Sequence, residues 1–430
     1  MKKTEKGTLS PRQKKNRPSA KRISALLLAA AILGITVTVA AVEIWPAFGA
    51  RVANGTRRLF GPQVVAQVES IVFQAQDTVR QWQYRYGGQQ AEAPWEAPSF
   101  TETPQTTETR PQPSATPSAI PSEVPGKVTT QPPTQTATPA PTVTPTPTAW
   151  RLADLQALGN LEGEGIWQPY LHDGQDSPVA MRTFLQPDPE RPYTVVAVVA
   201  LDLARVRLHF VLGFIDPALP DGPKGDGLIP EADRQAGKLL AAFNGAFRTA
   251  NGMYGAMANG VVPVPPIPEA ATIGIYQNGE IRIGSWGDEI EADPALQAWR
   301  QNCTMIVQDG EISPKVYNDS VIDWGGSISN HIVTRRSAIG IDREAQTLYY
   351  FAGPALSMPA LADSMLAAGV YDGMLLDINN FWVHFTAFSP GENGLAAEAL
   401  LPNDMIDQVD RYLGASPVDF FYVTLRDDSP

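Results

Sequence analysis

The chain has 430 residues, 43% of them hydrophobic, with 39 prolines, a single cysteine and a formal net charge of −12. Nine Lys/Arg against one acid put about +8 on residues 1–22, so the remainder is strongly acidic and cannot offer the positive potential that nucleic-acid backbones require. The lone Cys303 excludes an intrachain disulfide framework and a cysteine-based zinc site.

The basic head (1–22) runs into residues 23–42, twenty residues without a charge. At the helical rise these span about 30 Å, a bilayer core. The positive flank predicts a single-pass anchor with the head in the cytoplasm and everything after Glu43 extracytoplasmic. A cleavable signal peptide is the alternative, although its apolar core is usually about 7–15 residues long. In the juxtamembrane segment 43–90, Val64, Val68, Ile71, Ala75, Val79 and Trp82 recur at helical spacing and end at Gly87-Gly88. They predict an amphipathic helix, either a stalk or one packed on its own domain. Residues 91–149 form a linker, and its stretch 101–149 holds twelve Pro and fifteen Thr. Such a composition buries too little apolar surface to offset ordering entropy and predicts a disordered, extended tether.

From 150 to 430 the pattern changes to short β runs with turn signals. Tyr193–Leu201 reads as a buried strand, and Val206–Leu212 alternates as its half-buried partner. Asn278-Gly279 and Asp309-Gly310 mark hairpins, and Ser337–Ile341 with Thr347–Ala352 forms another β pair. Two helices are expected, Glu231–Ala242 after Pro230 and Ser357–Ala368 stopping at Gly369. The fold class is therefore α+β: a mixed, mostly antiparallel sheet domain with a few helices, preceded by one transmembrane helix and a disordered linker.

Three polar clusters at element ends are candidates for chemistry. Asn244-Gly245-Ala246-Phe247, with Arg248, offers amides and exposed backbone, or an ordinary turn. Arg335-Arg336 opens a β-strand, where a guanidinium can clamp phosphate. Asp377 ends an apolar run and is followed by Ile378, Asn379, Asn380, Trp382 and His384. A carboxylate at the end of a buried strand is partly desolvated, which tunes its pKa; alternatively it caps its own loop. His384, like His331, reads more readily as a structural histidine than as a proton carrier. Nucleotide-loop, zinc-protease and nucleophile-elbow motifs are absent.

Taken in order, Phe243–Phe247, Arg336–Asp342 and Leu376–Asn380 resemble the landmarks of the phosphodiester glycosidase family, over about Pro230–His384. Ile378, Asn379, Asn380 and Phe381 stand where that family has a glycine-rich loop. The resemblance implies an enzyme that hydrolyses a sugar-1-phosphodiester at the anomeric bond; no cofactor and no metal-ligating residue is assigned. It implies Asp377 as nucleophile, base or oxocarbenium stabiliser, Arg336 as phosphate clamp, Asn244 as a donor to sugar or phosphate, and His384 as a proton carrier. Gly245, Arg248, Asn379, Asn380 and Trp382 would bind substrate. The expected partners are a carbohydrate or sugar-phosphate substrate and a membrane, with no nucleic acid. The alternative is a catalytically degenerate member that binds cell-envelope polysaccharide.

Overall fold

The computed structural model describes residues 62–96, 150–318, 323–324, 333–392 and 394–426, with side chains of the first helix from residue 74 onward. The basic head, the expected anchor at 23–42, most of the linker and His331 lie outside the described residues. Among the described residues, no helix is long and apolar enough to cross a membrane.

Among the described residues eighteen strands form three sheets, and the strand pairings are antiparallel, in keeping with the expected mostly antiparallel sheet domain with few helices. The large sheet runs β1 (Gln168–His172), β2 (Pro178–Leu185), β3 (Val196–Asp202), β14 (Thr347–Leu356), β13 (Thr334–Ile341), β15 (Asp372–Leu375), β11 (Met305–Gln308) and β12 (Glu311–Ile312). A second sheet runs β17 (Gly394–Ala399), β16 (Phe385–Gly391), β5 (Leu239–Asn244), β18 (Phe420–Leu425) and β4 (Val206–Val211). The third runs β7 (Val261–Val264), β6 (Ala256–Ala258), β10 (Leu296–Gln301), β8 (Ala271–Tyr276) and β9 (Ile281–Ser285).

One contiguous apolar core joins all three sheets. At its centre Phe243 stacks on Phe385 (5.7 Å between ring centres) and Phe421 (5.5 Å) and meets Tyr350 at 4.9 Å. Such aromatic packing adds directional contact to the burial of large apolar area.

The hairpin expectations hold. Asp309 (φ 54°) and Gly310 (φ 77°) both take the left-handed backbone that a tight β11–β12 turn demands, and Gly279 does so between β8 and β9. The helix α2 (Met358–Ala367) is capped by Ser357, whose hydroxyl accepts from the Ala360 amide, and ends at Gly369 (φ 86°).

Two local expectations fail. Residues 231–238 are turns rather than a helix, interrupted by Gly237 at φ 80°, and Leu239–Asn244 is strand β5. Every residue of β5 is buried between neighbours β16 and β18. A continuous apolar run fits a central strand, and its burial outweighs the single turn of helix-start signals. Likewise β4 does not pair with β3. Both edges of β3 are taken by β2 and β14, so the chain turns at Leu203–Arg205 and enters the second sheet beside β18.

The helix α1 (Pro62–Tyr86) ends where the Gly87 amide donates to the Gln83 carbonyl and Gly88 turns to φ 70°. Residues up to Ala97 belong to the same compact unit as 153–430, and Pro98–Leu152 forms a separate one. The helix docks through its polar side: Asp77 pairs with Arg191 Nε at 3.0 Å and accepts from the Tyr193 hydroxyl. Of the expected apolar face, Ala75 is half-buried while Val79 and Trp82 are turned outward, 55% and 63% exposed. Beyond it, Trp95 packs edge-on against Phe184, and Arg182 lies between the Trp95 and Tyr170 rings at about 4.5 Å from each.

Phe243→Ala removes the centre of the aromatic cluster. It is expected to cost about 3–5 kcal/mol, read as a lower urea midpoint with unchanged slope.

Candidate functional site

The three clusters converge at one end of the strands. Asn244 closes β5, Arg336 and Ser337 lie near the start of β13, Asp377 follows β15, and His384 precedes β16. Ser337 is the hub. Its Oγ accepts from Asn244 Nδ2 at 2.9 Å and from the Asp377 amide at 3.2 Å, while its own amide donates to the Asp377 carbonyl at 2.8 Å. Asn244 Oδ1 accepts from the Tyr350 hydroxyl (2.9 Å) and the His384 amide (3.2 Å). The Asn244 side chain is thus used in full by the protein.

The Asp377 carboxylate is buried. One oxygen accepts from the amides of its own loop, Ile378 at 2.6 Å and Asn379 at 3.0 Å. Burial pushes its pKa up to about 7 against the pull of those amides, and the nearby Asp419 pushes the same way. It therefore titrates near neutrality. Arg336 lies on the opposite face of β13 from Ser337, is wholly buried, and donates from Nε to the Leu356 carbonyl at 2.9 Å. Burial lowers its pKa to about 10, which leaves it cationic at neutral pH. Its neighbour Arg335 is half-buried and donates to the Asp404 carbonyl at 2.8 Å.

His384 is wired as a structural histidine. Nε2 lies 2.8 Å from the Met405 carbonyl, so it carries the proton, and Nδ1 faces the Thr386 hydroxyl at 3.2 Å. Burial first, then the charge of Arg411, lowers its pKa to about 3 and keeps the ring neutral. The remaining sequence candidates are scattered by role. Gly245 is pressed against Asp419, where a Cβ would meet the carboxylate at 2.2 Å. Arg248 faces the buried Asp216 carboxylate at 3.7 Å. Asn379 Oδ1 accepts from the Phe381 amide at 2.9 Å, Asn380 is exposed, and Trp382 meets the Phe381 ring edge-on at 4.7 Å.

The groups that hold this site together come from a strand whose function the sequence does not announce. Arg300, Gln301 and Asn302, at the end of β10, are three consecutive polar residues with no exposed surface. Arg300 pairs with the buried Asp419 (2.8 Å) and donates to the carbonyls of Phe247, Tyr254 and Gly255. Asp419 also accepts from the Ala246 amide. The pair thus clamps the Asn244 loop. Asn302 Nδ2 donates to the carbonyls of Leu375 (3.0 Å) and Leu376 (2.9 Å), immediately before Asp377. The one available signal is Arg300 directly after Ala298-Trp299 within the strand run Leu296–Gln301. Among the described residues, no group of three or more His, Cys, Asp or Glu is placed to hold a metal ion.

Removing Asp419 leaves Arg300 as an uncompensated buried charge. Asp419→Ala is expected to cost about 3–5 kcal/mol, measured by chemical unfolding. Asp377 gives a pH-dependent prediction. Its folded-state pKa lies above the ordinary 3.8, so the native state holds the proton more tightly. The benefit is complete below the ordinary value and is lost as pH rises through about 7. Asp377→Asn, which keeps the acceptor oxygen, should therefore stabilise the protein at pH 8 by up to about 4 kcal/mol and leave it nearly unchanged at pH 4. Thermal melts at the two pH values read the difference.

No family model matches the chain, and no curated protein matches its sequence. Among solved structures, it is similar to the zebrafish N-acetylglucosamine-1-phosphodiester alpha-N-acetylglucosaminidase catalytic domain auto-inhibited by pro-peptide. That match has 14% identity and a TM-score of 0.38, covering 61% of this chain and 88% of the other. It is also similar to a hypothetical protein from Synechocystis at 10% identity and a TM-score of 0.34, over 54% of this chain and 59% of the other.

Proposed function

We propose that the domain hydrolyses a sugar-1-phosphodiester at the anomeric bond, held outside a membrane by residues 23–42. The observation that carries this reading is Asp377: a buried carboxylate at a strand end, titrating near neutrality, tied through Ser337 to Asn244. Ordinary glycosidases need an acid to protonate a poor leaving group as well as a second carboxylate. A phosphate monoester leaves readily, so one carboxylate suffices. In its ionised form Asp377 takes a proton from water as the water oxygen bonds to the anomeric carbon. The bond from that carbon to the phosphate oxygen breaks, and the electron pair departs with the phosphate monoester. Arg336 contributes a fixed positive charge behind the site, and His384, neutral and bonded at both nitrogens, orients Asn244 through its amide.

A second reading, a saccharide-binding domain without turnover, is favoured by one feature. The Asp377 oxygen that accepts from Ile378 and Asn379 serves its own loop, where glycine amides would face a phosphate in the resembled family. The readings separate in one assay. With N-acetylglucosamine-1-phosphodiesters as substrates, hydrolysis releases free sugar, and its rate rises with pH through about 7 as Asp377 ionises. Asp377→Asn then lowers kcat at least about 100-fold and abolishes that rise. Sugar release unaffected by this change removes Asp377 from the chemistry; saccharide bound but never cleaved selects the second reading.

A further inference from the structure

A cavity of about 590 Å³ lies where the α1 end and the following segment meet the domain. One wall is Tyr84, residues 88–90 and residues 92–94; the other includes Tyr193, Val195, Pro354 and residues 401–404. It opens at the same end of the strands as Asp377, because β3 starts there and β14 ends there. A single short segment separates the two: residues 401–404 line the cavity, and the next carbonyl, that of Met405, is the hydrogen-bond partner of His384.

The lining has a definite chemistry. Tyr84 and Tyr193 form a tilted ring pair, 4.9 Å between centres and 38° between planes. Gln89, Gln90 and Asn403 bring side-chain amides, each both donor and acceptor, and Glu92 and Asp404 bring carboxylate acceptors. Glu92 lies close enough to Tyr84 for its charge, after burial, to raise the phenol pKa. Among the described lining residues there is no Lys, Arg or His. Of the two carboxylates, Asp404 is ion-paired to Arg335 at 3.5 Å, and Arg80 lies near enough to act on Tyr84; the lining itself adds Glu92 and no cationic side chain, so it builds no clamp for an anionic chain. A lipid tail would leave the side-chain amides of Gln89, Gln90 and Asn403 and the carboxylate of Glu92 without partners. A pyranose chain meets both of its needs: aromatic faces for its C–H surface, and paired donors and acceptors for its hydroxyls. The volume falls within the range of about 300–1,000 Å³ usual for small-molecule sites.

We infer that this cavity is a saccharide-binding site for an uncharged oligosaccharide, built jointly by the segment before the linker and by the domain after it. The site deepens the proposed function by naming the neutral glycan portion of the substrate or product polymer, yet its occupancy does not require Asp377 to be catalytic.

Calorimetric titration of the full chain with chitotetraose and cellotetraose tests this, with a heparin-derived tetrasaccharide as the anionic counterpart. The uncharged probes should bind and the anionic one should not. Tyr84→Ala should weaken binding roughly tenfold, and Tyr84→Phe should restore it. Asn403→Ala, an exposed change on the domain side, should weaken it about threefold to fivefold. Asp377→Asn should bind as the unaltered chain does, even where it abolishes sugar release, so failure of catalysis and failure of this site are read separately. Absence of binding to both uncharged probes, equal binding of the anionic one, or affinity unchanged in both Tyr84→Ala and Asn403→Ala overturns the inference.

Discussion

The buried ion pair between Arg300 and Asp419 is the constraint on which the candidate site depends. An arginine with no exposed surface is tolerable only if its donors are satisfied. Here, besides the adjacent Gln301 carbonyl, the satisfying acceptors are Asp419 and the carbonyls of Phe247, Tyr254 and Gly255, all on or beside the loop that carries Asn244. Desolvation, which would otherwise make the pair costly, is thereby converted into positional control over a loop lacking regular structure. Asn302 extends the same logic two residues later, fixing the carbonyls that precede Asp377. One strand end thus sets the spacing between the two motif loops, and Ser337 closes the remaining gap between them.

The electrostatics of the site follow from this arrangement. Asp377 and Asp419 share a dry region with one close counter-charge, Arg300, and burial dominates the result for both carboxyl groups. The lone thiol contributes no reactivity: Cys303 is buried, and desolvation pushes its pKa up to about 12. His384 is silenced by burial and by two hydrogen bonds. Of the groups able to change charge around neutral pH in this neighbourhood, Asp377 is the one whose environment favours it.

Much of this was legible in the sequence because it rests on local rules. Asp309-Gly310 and Asn278-Gly279 gave hairpins since both need positive φ, and the cap of Ser357 and stop at Gly369 bounded α2. The clusters around Asn244, Ser337 and Asp377 do meet, as their positions at element ends suggested. What could not be read was pairing between distant segments. Leu239–Ala242 looked like the tail of a helix until two neighbouring strands covered it, and nothing in Val206–Val211 reveals that its partner is Phe420–Leu425. Arg300, Asn302 and Asp419 escaped for the same reason: their roles exist only through acceptors 45 to 119 residues away. Helical spacing in α1 was real, but Val79 and Trp82 point outward because the docking contact is the Asp77–Arg191 pair.

The grip of the domain on α1 is ionic and aromatic rather than apolar: Asp77 with Arg191 and Tyr193, and the Tyr84 ring on that of Tyr193. Salt screens charges over about 8 Å at physiological ionic strength, whereas an apolar core is not weakened that way. Ionic strength therefore acts selectively on the hold between α1 and the sheets and leaves the packing around Phe243 untouched.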